Sequence, residues 1–359
     1  MHPFPMPLVI LFLYQMLAQI GKIFSKINDR YILFRYIHPF VRQNKGRKIT
    51  SENTLCLFCQ PRGGSTWLSE ILLNIPGSVL IDEPLWRGRM SAPFKMPNPL
   101  DRKAEAIADL DFYFHQPIPD DVTWSEAKEA FEEILSGRTV SIGMYDEQDL
   151  SKLSKGNYHI VKFNYANLLA PWLSQQFDFK AIALTRHPCA VVASQLQLPA
   201  WKNINVTEYV TPNEIRYNHT FEEALSKIGS IDSKETFLTM IWAIGFKNTI
   251  LHPNNGNRWL PISYEGLLQN FGEEINRINE YLNTTLDAKT IDHGRPSKST
   301  RPGSLPYLEG NTQLGSWKDT LSNTQIKSIM KVLDQFEIDI YSEDLEPDYD
   351  RLYTTSAQT

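Results

Sequence analysis

Cysteine is scarce in this sequence: Cys56, Cys59 and Cys189 are the only three in 359 residues. Three are too few for a disulfide framework, and the odd number points to a reducing compartment. A long hydrophobic run is missing too. The apolar stretch from Pro7 to Tyr14, continued by Met16, Leu17, Ala18 and Ile20, is broken by Gln15 and Gln19. It falls short of the ~20 apolar residues of a spanning helix. No basic residue precedes it and no small-residue cleavage site follows, which argues against a signal peptide. The positive charges after it would orient a type II anchor the wrong way round. There is no overall basic excess, since the net charge is −5, so no nucleic-acid footprint is present. Internal repeats and low-complexity tracts are absent. So are GxxxxGK[ST] and HExxH, and the eight histidines are scattered. The single CxxC, Cys56 and Cys59, lies on an expected strand, where residues three apart face opposite sides, so no metal site is expected.

What is present is enough apolar material for a sizeable core, 42% hydrophobic and 11% aromatic residues. Charge is spread unevenly. Residues 1–50 hold eight Lys or Arg against one acid, Asp29, and the remainder holds 28 against 40. This divides the chain into a basic, partly apolar arm (1–50), a main domain (51–345) and a tail (346–359). The arm, through residues 1–48, is expected either to lie in a membrane surface as an amphipathic helix or to pack as an ordinary helix on the domain.

Short apolar runs alternate with helical patterns. Strands are expected at about 53–60, 79–82, 158–163, 179–184 and 258–263. Helices are expected at about 65–74, 101–114, 124–136, 188–198, 234–251, 264–283 and 322–337, with a polar excursion over 199–233. Strand–helix alternation implies a three-layer α/β fold with a central, mostly parallel sheet covered on both faces.

Two segments carry anion chemistry. Gln60-Pro-Arg-Gly-Gly-Ser-Thr-Trp67 places a glycine turn between a buried strand and a helix start. Gly63 and Gly64 let the backbone approach an anion, the free N–H groups of Ser65 and Thr66 point at it, and Arg62 adds charge. The bland alternative is an ordinary strand–turn–helix with a capping serine. In Ile182-Ala-Leu-Thr-Arg-His-Pro-Cys-Ala-Val-Val-Ala-Ser194, Arg186 ends a strand and Ser194 follows eight positions later, two turns into a helix. A guanidinium and a hydroxyl there can hold a second phosphate in the crevice at the strand ends.

Together the segments resemble the sulfotransferase family, whose donor is 3′-phosphoadenosine 5′-phosphosulfate (PAPS). Pro61, Arg62, Gly63, Gly64, Ser65 and Thr66 match the loop for the 5′-phosphosulfate. Arg186, Pro188 and Ser194 match the set for the 3′-phosphate. The resemblance implies a P-loop-like, nucleotide-kinase-like architecture, PAPS as co-substrate with PAP as product, and no required metal. It further implies that Trp67 and Tyr264 (in Ser263-Tyr-Glu-Gly-Leu267) lie at the adenine. Ser297, Lys298 and Ser299 would form a lid over the 3′-phosphate. Gly63 departs from the usual serine. Arg62 and Asp82-Glu-Pro-Leu85 are most like the carbohydrate and Golgi-type branches. In those branches a Glu in the matching region is the base, here Glu83, with Asp82 as the fallback. Glu83 as a turn cap, or as a partner of Arg87 or Arg89, is the structural alternative. Lys162 either steadies the sulfonate oxygens or merely ends a strand. The His used as base in cytosolic relatives is Asn164 here.

The implied acceptor is a carbohydrate or glycolipid hydroxyl, with Trp86, Trp124, Trp172 and Trp201 as candidates to line its cleft. His187 is expected in an outer layer or at the surface. The rivals are a P-loop kinase and a non-catalytic membrane-associated protein on the same fold. Cysteine usage and the donor's origin favour a cytoplasmic protein, free or peripheral at a membrane according to how the arm packs, over a Golgi-type anchor.

Overall fold

A computed structural model describes residues 23–24, 26–85, 110, 112, 115–145, 148–203, 206, 216–294 and 311–354. Five strands form one sheet: β1 (Thr54–Cys59), β2 (Ser78–Asp82), β3 (Tyr158–Phe163), β4 (Lys180–Thr185) and β5 (Trp259–Ser263). Their spatial order is β2-β3-β1-β4-β5 and every pairing is parallel. The central strand β1 (Thr-Leu-Cys-Leu-Phe-Cys) is buried at every position. That is the pattern of a parallel strand covered on both faces.

Its side chains alternate between two cores. Cys56 and Phe58 point into one, Leu55, Leu57 and Cys59 into the other, so the two cysteines are separated by the sheet. On the first face lie α2 (Ser125–Leu135), α3 (Ala170–Gln176), α4 (Pro188–Leu196), α6 (Lys234–Thr249) and α10 (Asn323–Gln335). On the second lie α1 (Ser65–Leu72) and α8 (Phe271–Leu282). The α/β three-layer expectation thus holds. α6 is buried at every position from Thr236 to Phe246, as a helix enclosed by neighbours must be.

The structure differs from the sequence reading in a few places. The helix expected over 264–283 is two: α7 (Tyr264–Gln269) and α8, broken at Asn270, whose N–H donates to the Gly266 carbonyl while its own carbonyl receives Glu274. The polar excursion contains α5 (His219–Ile228), which buries Phe221 and Ala224. The helices α9 (Asn311–Thr320) and α11 (Tyr349–Thr354) were not foreseen either. Leu352 of α11 is buried and the Tyr353 hydroxyl donates to Glu274 at 2.9 Å. The helix expected at 101–114 falls mainly outside the described residues; Leu110 and Phe112 are not helical. In the arm, residues 26–43 are helical through a π-helical turn, Leu33–Ile37. Among the described residues, no helix is long and apolar enough to cross a membrane.

Candidate functional site

The residues singled out from sequence gather at one edge of the sheet, at the carboxyl ends of the strands: the loop after β1, Glu83 after β2, Lys162 and Asn164 at β3, Arg186 after β4 and Tyr264 after β5. Open parallel sheets place ligand crevices there because loops diverge and helix N-termini converge.

The cradle is the turn from Gln60 to Gly64. The Gly63 N–H closes it onto the Gln60 carbonyl at 2.8 Å. Arg62 has φ 73° and Gly64 φ 99°, both left-handed. At Gly64 a side chain would also meet the Tyr264 ring, 2.4 Å from an ideal Cβ. Gly63 is imposed by packing alone, since a Cβ there would lie 2.5 Å from the Cys59 sulfur. α1 then begins without a side-chain cap. Ser65 turns away from capping and donates to Asn164 Oδ1 at 2.7 Å. The first-turn N–H groups therefore face the crevice without a capping side chain, the arrangement that receives an anion.

Beside the cradle stands a buried charge cluster. Asp82 and Lys162 are register partners across β2 and β3. Lys162 is 2% exposed. Its Nζ lies 2.5 Å from Asp82, 3.3 Å from Glu83 Oε1 and 3.4 Å from Thr66 Oγ1. Burial disfavours the ammonium, but Asp82 and then Glu83 outweigh it, so its pKa lies above the ordinary value and the charge stays. Glu83 is half-buried with φ 43°, an uncommon left-handed conformation for a non-glycine residue. Its N–H donates to the Lys162 carbonyl at 2.9 Å, and Oε1 receives the Asn164 amide at 2.5 Å. Asn164 thus ties Ser65 of the cradle to Glu83.

The second pocket adjoins the first. Arg186 donates from a terminal nitrogen to the Arg62 carbonyl at 3.1 Å and lies over the Tyr264 ring, 4.2 Å from its centroid. Its Nε is buried without a hydrogen-bond partner. Arg62 in turn donates from Nε to Ser194 Oγ at 2.9 Å. Gln195 donates to the Pro61 carbonyl at 3.0 Å. The two segments chosen separately from sequence are therefore joined in space, and Arg62 reaches across to the α4 serine as well as shaping the first loop.

An outer layer holds Arg186. Trp242 donates to its carbonyl at 3.1 Å. The next N–H, His187, donates to Glu265 at 2.8 Å, and Tyr341 donates to the same carboxyl at 3.3 Å. Burial raises Glu265 to about 7, opposed by these bonds and by Arg186. His187 is buried rather than at the surface. Its Nδ1 accepts the Cys189 N–H at the start of α4, and the ring stacks on Trp317 at 4.8 Å. Burial pushes it down to about 4, so it is neutral.

Trp67 packs edge-on against Tyr264 (5.4 Å) and, nearly parallel, against Phe271 (6.4 Å). Gln313 of α9 donates to the Tyr264 hydroxyl at 2.6 Å. Ser297, Lys298 and Ser299 lie outside the described residues, as do Trp86, Arg87 and Arg89. Of the other candidate acceptor tryptophans, Trp124 and Trp172 are buried in the core and Trp201 packs partly buried against it. Among the described residues no group of three His, Cys, Asp or Glu could hold a metal. Sequence reasoning missed Asn164 as a tie, Glu265 and Tyr341 as the support of Arg186, and Gln313. Only Asn164 carried a signal, by its place two residues after Lys162.

No protein-family model matches this sequence, and no curated protein does. Three solved structures similar to it are sulfotransferases. The sulfotransferase domain of the Synechococcus PCC 7002 olefin synthase is 16% identical over 83% of this chain and 98% of its own, with TM-score 0.44. A sulfotransferase domain from the curacin biosynthetic pathway is 15% identical over 81% and 98%, with TM-score 0.41. The mouse sulfotransferase SULT7A1 complexed with PAP is 12% identical over 87% and 90%, with TM-score 0.40.

Proposed function

We propose that this chain is a sulfotransferase that moves the sulfuryl group of PAPS to an acceptor hydroxyl, on a carbohydrate or glycolipid. The observation that supports the reading is the link from Arg186 to the Arg62 carbonyl and from Arg62 to Ser194, which joins the two segments that would hold the two ends of one donor. The buried, unpartnered Nε of Arg186 and the uncapped start of α1 fit two separated phosphates of one nucleotide. The residues Gly63 to Thr66 and Arg62 would hold the 5′ end. Arg186 and Ser194 would hold the 3′-phosphate, with Trp67 and Tyr264 as the aromatic wall beside them.

PAPS supplies an electrophilic sulfuryl group on a phosphate leaving group. The chain supplies position and charge. Glu83 takes the proton of the acceptor hydroxyl as its oxygen bonds to sulfur. Lys162 and Thr66 stand where negative charge gathers on the sulfuryl oxygens. The α1 N-terminus and Arg62 receive the charge left on the 5′-phosphate as the sulfur–oxygen bond breaks. Asn164 keeps Glu83 and Ser65 in fixed relation. The carbohydrate acceptor rests on the likeness of Asp82-Glu-Pro-Leu85 to those branches.

The test is transfer of labelled sulfate from PAPS to a panel of hydroxyl acceptors by the full chain. The reading predicts sulfated carbohydrate or glycolipid, lost in Glu83→Gln. Transfer from ATP with Mg²⁺ and none from PAPS would replace it with a kinase.

A further inference from the structure

Among the described residues, the helix of the arm packs on the domain by one side. Ile37 and Phe40 are buried in the core, and Ile32, Leu33, Tyr36 and Val41 pack half-buried against it. The opposite side carries Ile23, Phe24, Ile27, Tyr31 and Phe34, all exposed, with Phe24 at 67% and Phe34 at 80%. Among the described residues these are five of the six exposed large hydrophobic side chains, the sixth being Val140. Residues 23, 27, 31 and 34 recur at the three- and four-residue spacing of one helix face. A soluble domain seldom concentrates its exposed apolar side chains in one stripe unless something covers it.

The charges beside the stripe say what covers it. On a helical projection Lys26 and Arg30 flank it on one side and Arg35 on the other, all exposed. The one acid of the arm, Asp29, is half-buried on the far side. An apolar face edged by cations is the pattern of a helix lying in an anionic lipid interface. A second copy of the chain suits it poorly, because a two-fold contact would set the cations of one helix against those of the other. The rest of the chain holds 28 basic and 40 acidic residues, so its net charge does not draw it to an anionic surface.

We propose that the helix over residues 23–35 docks the protein on an anionic bilayer, with Ile23, Phe24, Ile27, Tyr31 and Phe34 among the acyl chains and Lys26, Arg30 and Arg35 at the headgroups. The docking face is remote from the cradle. Gln43 donates to the Gly156 carbonyl at 3.2 Å and Arg47 to the Asn53 carbonyl at 2.6 Å, just before β3 and β1 begin. The cradle lies at the other ends of those strands, roughly 20 Å away for six residues. Docking therefore leaves the reaction site open to its substrates.

The test is sedimentation of the full chain with vesicles of phosphatidylcholine alone or mixed with phosphatidylserine. Wild type should sediment with the anionic vesicles and be released by salt. The triple variant Phe24→Ser, Ile27→Ser, Phe34→Ser should lose at least about tenfold in partition. The triple variant Lys26→Glu, Arg30→Glu, Arg35→Glu should lose the preference for phosphatidylserine. Both sets are exposed, so melting temperature and PAP affinity should match wild type and report on folding separately. Three results would each overturn the proposal. One is wild type that stays in the supernatant. Another is a serine variant, residues 1–22 intact, that binds like wild type. The third is a wild-type dimer that the serine variant dissociates without any vesicle binding. None of these readouts depends on sulfuryl transfer.

Discussion

At the β2–β3 side of the cradle the cation is already matched: Lys162 sits between Asp82 and Glu83. At the β4 side, Arg186 rests on a tyrosine face and a backbone carbonyl, with Nε left unpartnered and no carboxylate within ion-pair distance among the described residues. The two halves are built for different tasks. A cluster whose one cation is already paired with two carboxylates offers a further anion little, but can shift charge and protons among its members. On the proposed reading, the guanidinium at the strand end is the anion receptor. Affinity should therefore reside at Arg186, and rate at Glu83 and Lys162.

The sharpest way to break that contrast is at Lys162. Lys162→Ala removes the buried cation that lies 2.5 Å from Asp82 and 3.3 Å from Glu83, which costs roughly 3–5 kcal/mol. Urea unfolding should show that loss, and transfer should be abolished. Glu83→Gln should lower kcat ~10²–10⁴-fold while leaving the Kd for PAP nearly unchanged. Arg186→Ala should do the reverse, weakening PAP binding by ~1.5–3 kcal/mol with kcat at saturating donor largely kept. If calorimetry finds Glu83→Gln the poorer PAP binder, the division of labour fails.

A smaller effect concerns the support of Arg186. Burial holds Glu265 at about 7, above its ordinary 4.5. Between those values the folded protein keeps a proton that the unfolded chain has released, so this group adds stability as pH falls from 7 and withdraws it as pH rises. His187, lowered to about 4, acts in the opposite sense below its ordinary 6.5. Unfolding wild type beside Glu265→Gln isolates the carboxyl. The difference should move in favour of wild type on acidification, by on the order of 1 kcal/mol per pH unit at most. The smallest change expected is Ser194→Ala, about 0.5–1.5 kcal/mol in PAP affinity, the worth of one neutral hydrogen bond.

Much of this was legible in the sequence, for identifiable reasons. The five strands announced themselves because parallel strands are unbroken apolar runs, and the cradle because glycine pairs and strand-to-helix turns leave a local signature. What escaped notice was non-local. Nothing near Glu265 in the chain predicts that it would receive the His187 N–H, 78 residues away. His187 was open between an outer layer and the surface because its burial depends on Trp317 and Tyr341, which are distant in sequence. Gly63 reads as a loop glycine, yet the Cys59 sulfur and the Gln60 carbonyl, four and three residues earlier, are what exclude a side chain. The break at Asn270 was hidden because the apolar pattern continues from α7 into α8.

The most direct test compares PAP with 5′-adenosine monophosphate, which lacks only the 3′-phosphate, by calorimetry on wild type and Arg186→Ala. One continuous site with an open guanidinium at its far end predicts that wild type prefers PAP by at least about tenfold and that Arg186→Ala removes most of the preference. Equal affinity of wild type for the two nucleotides would contradict it.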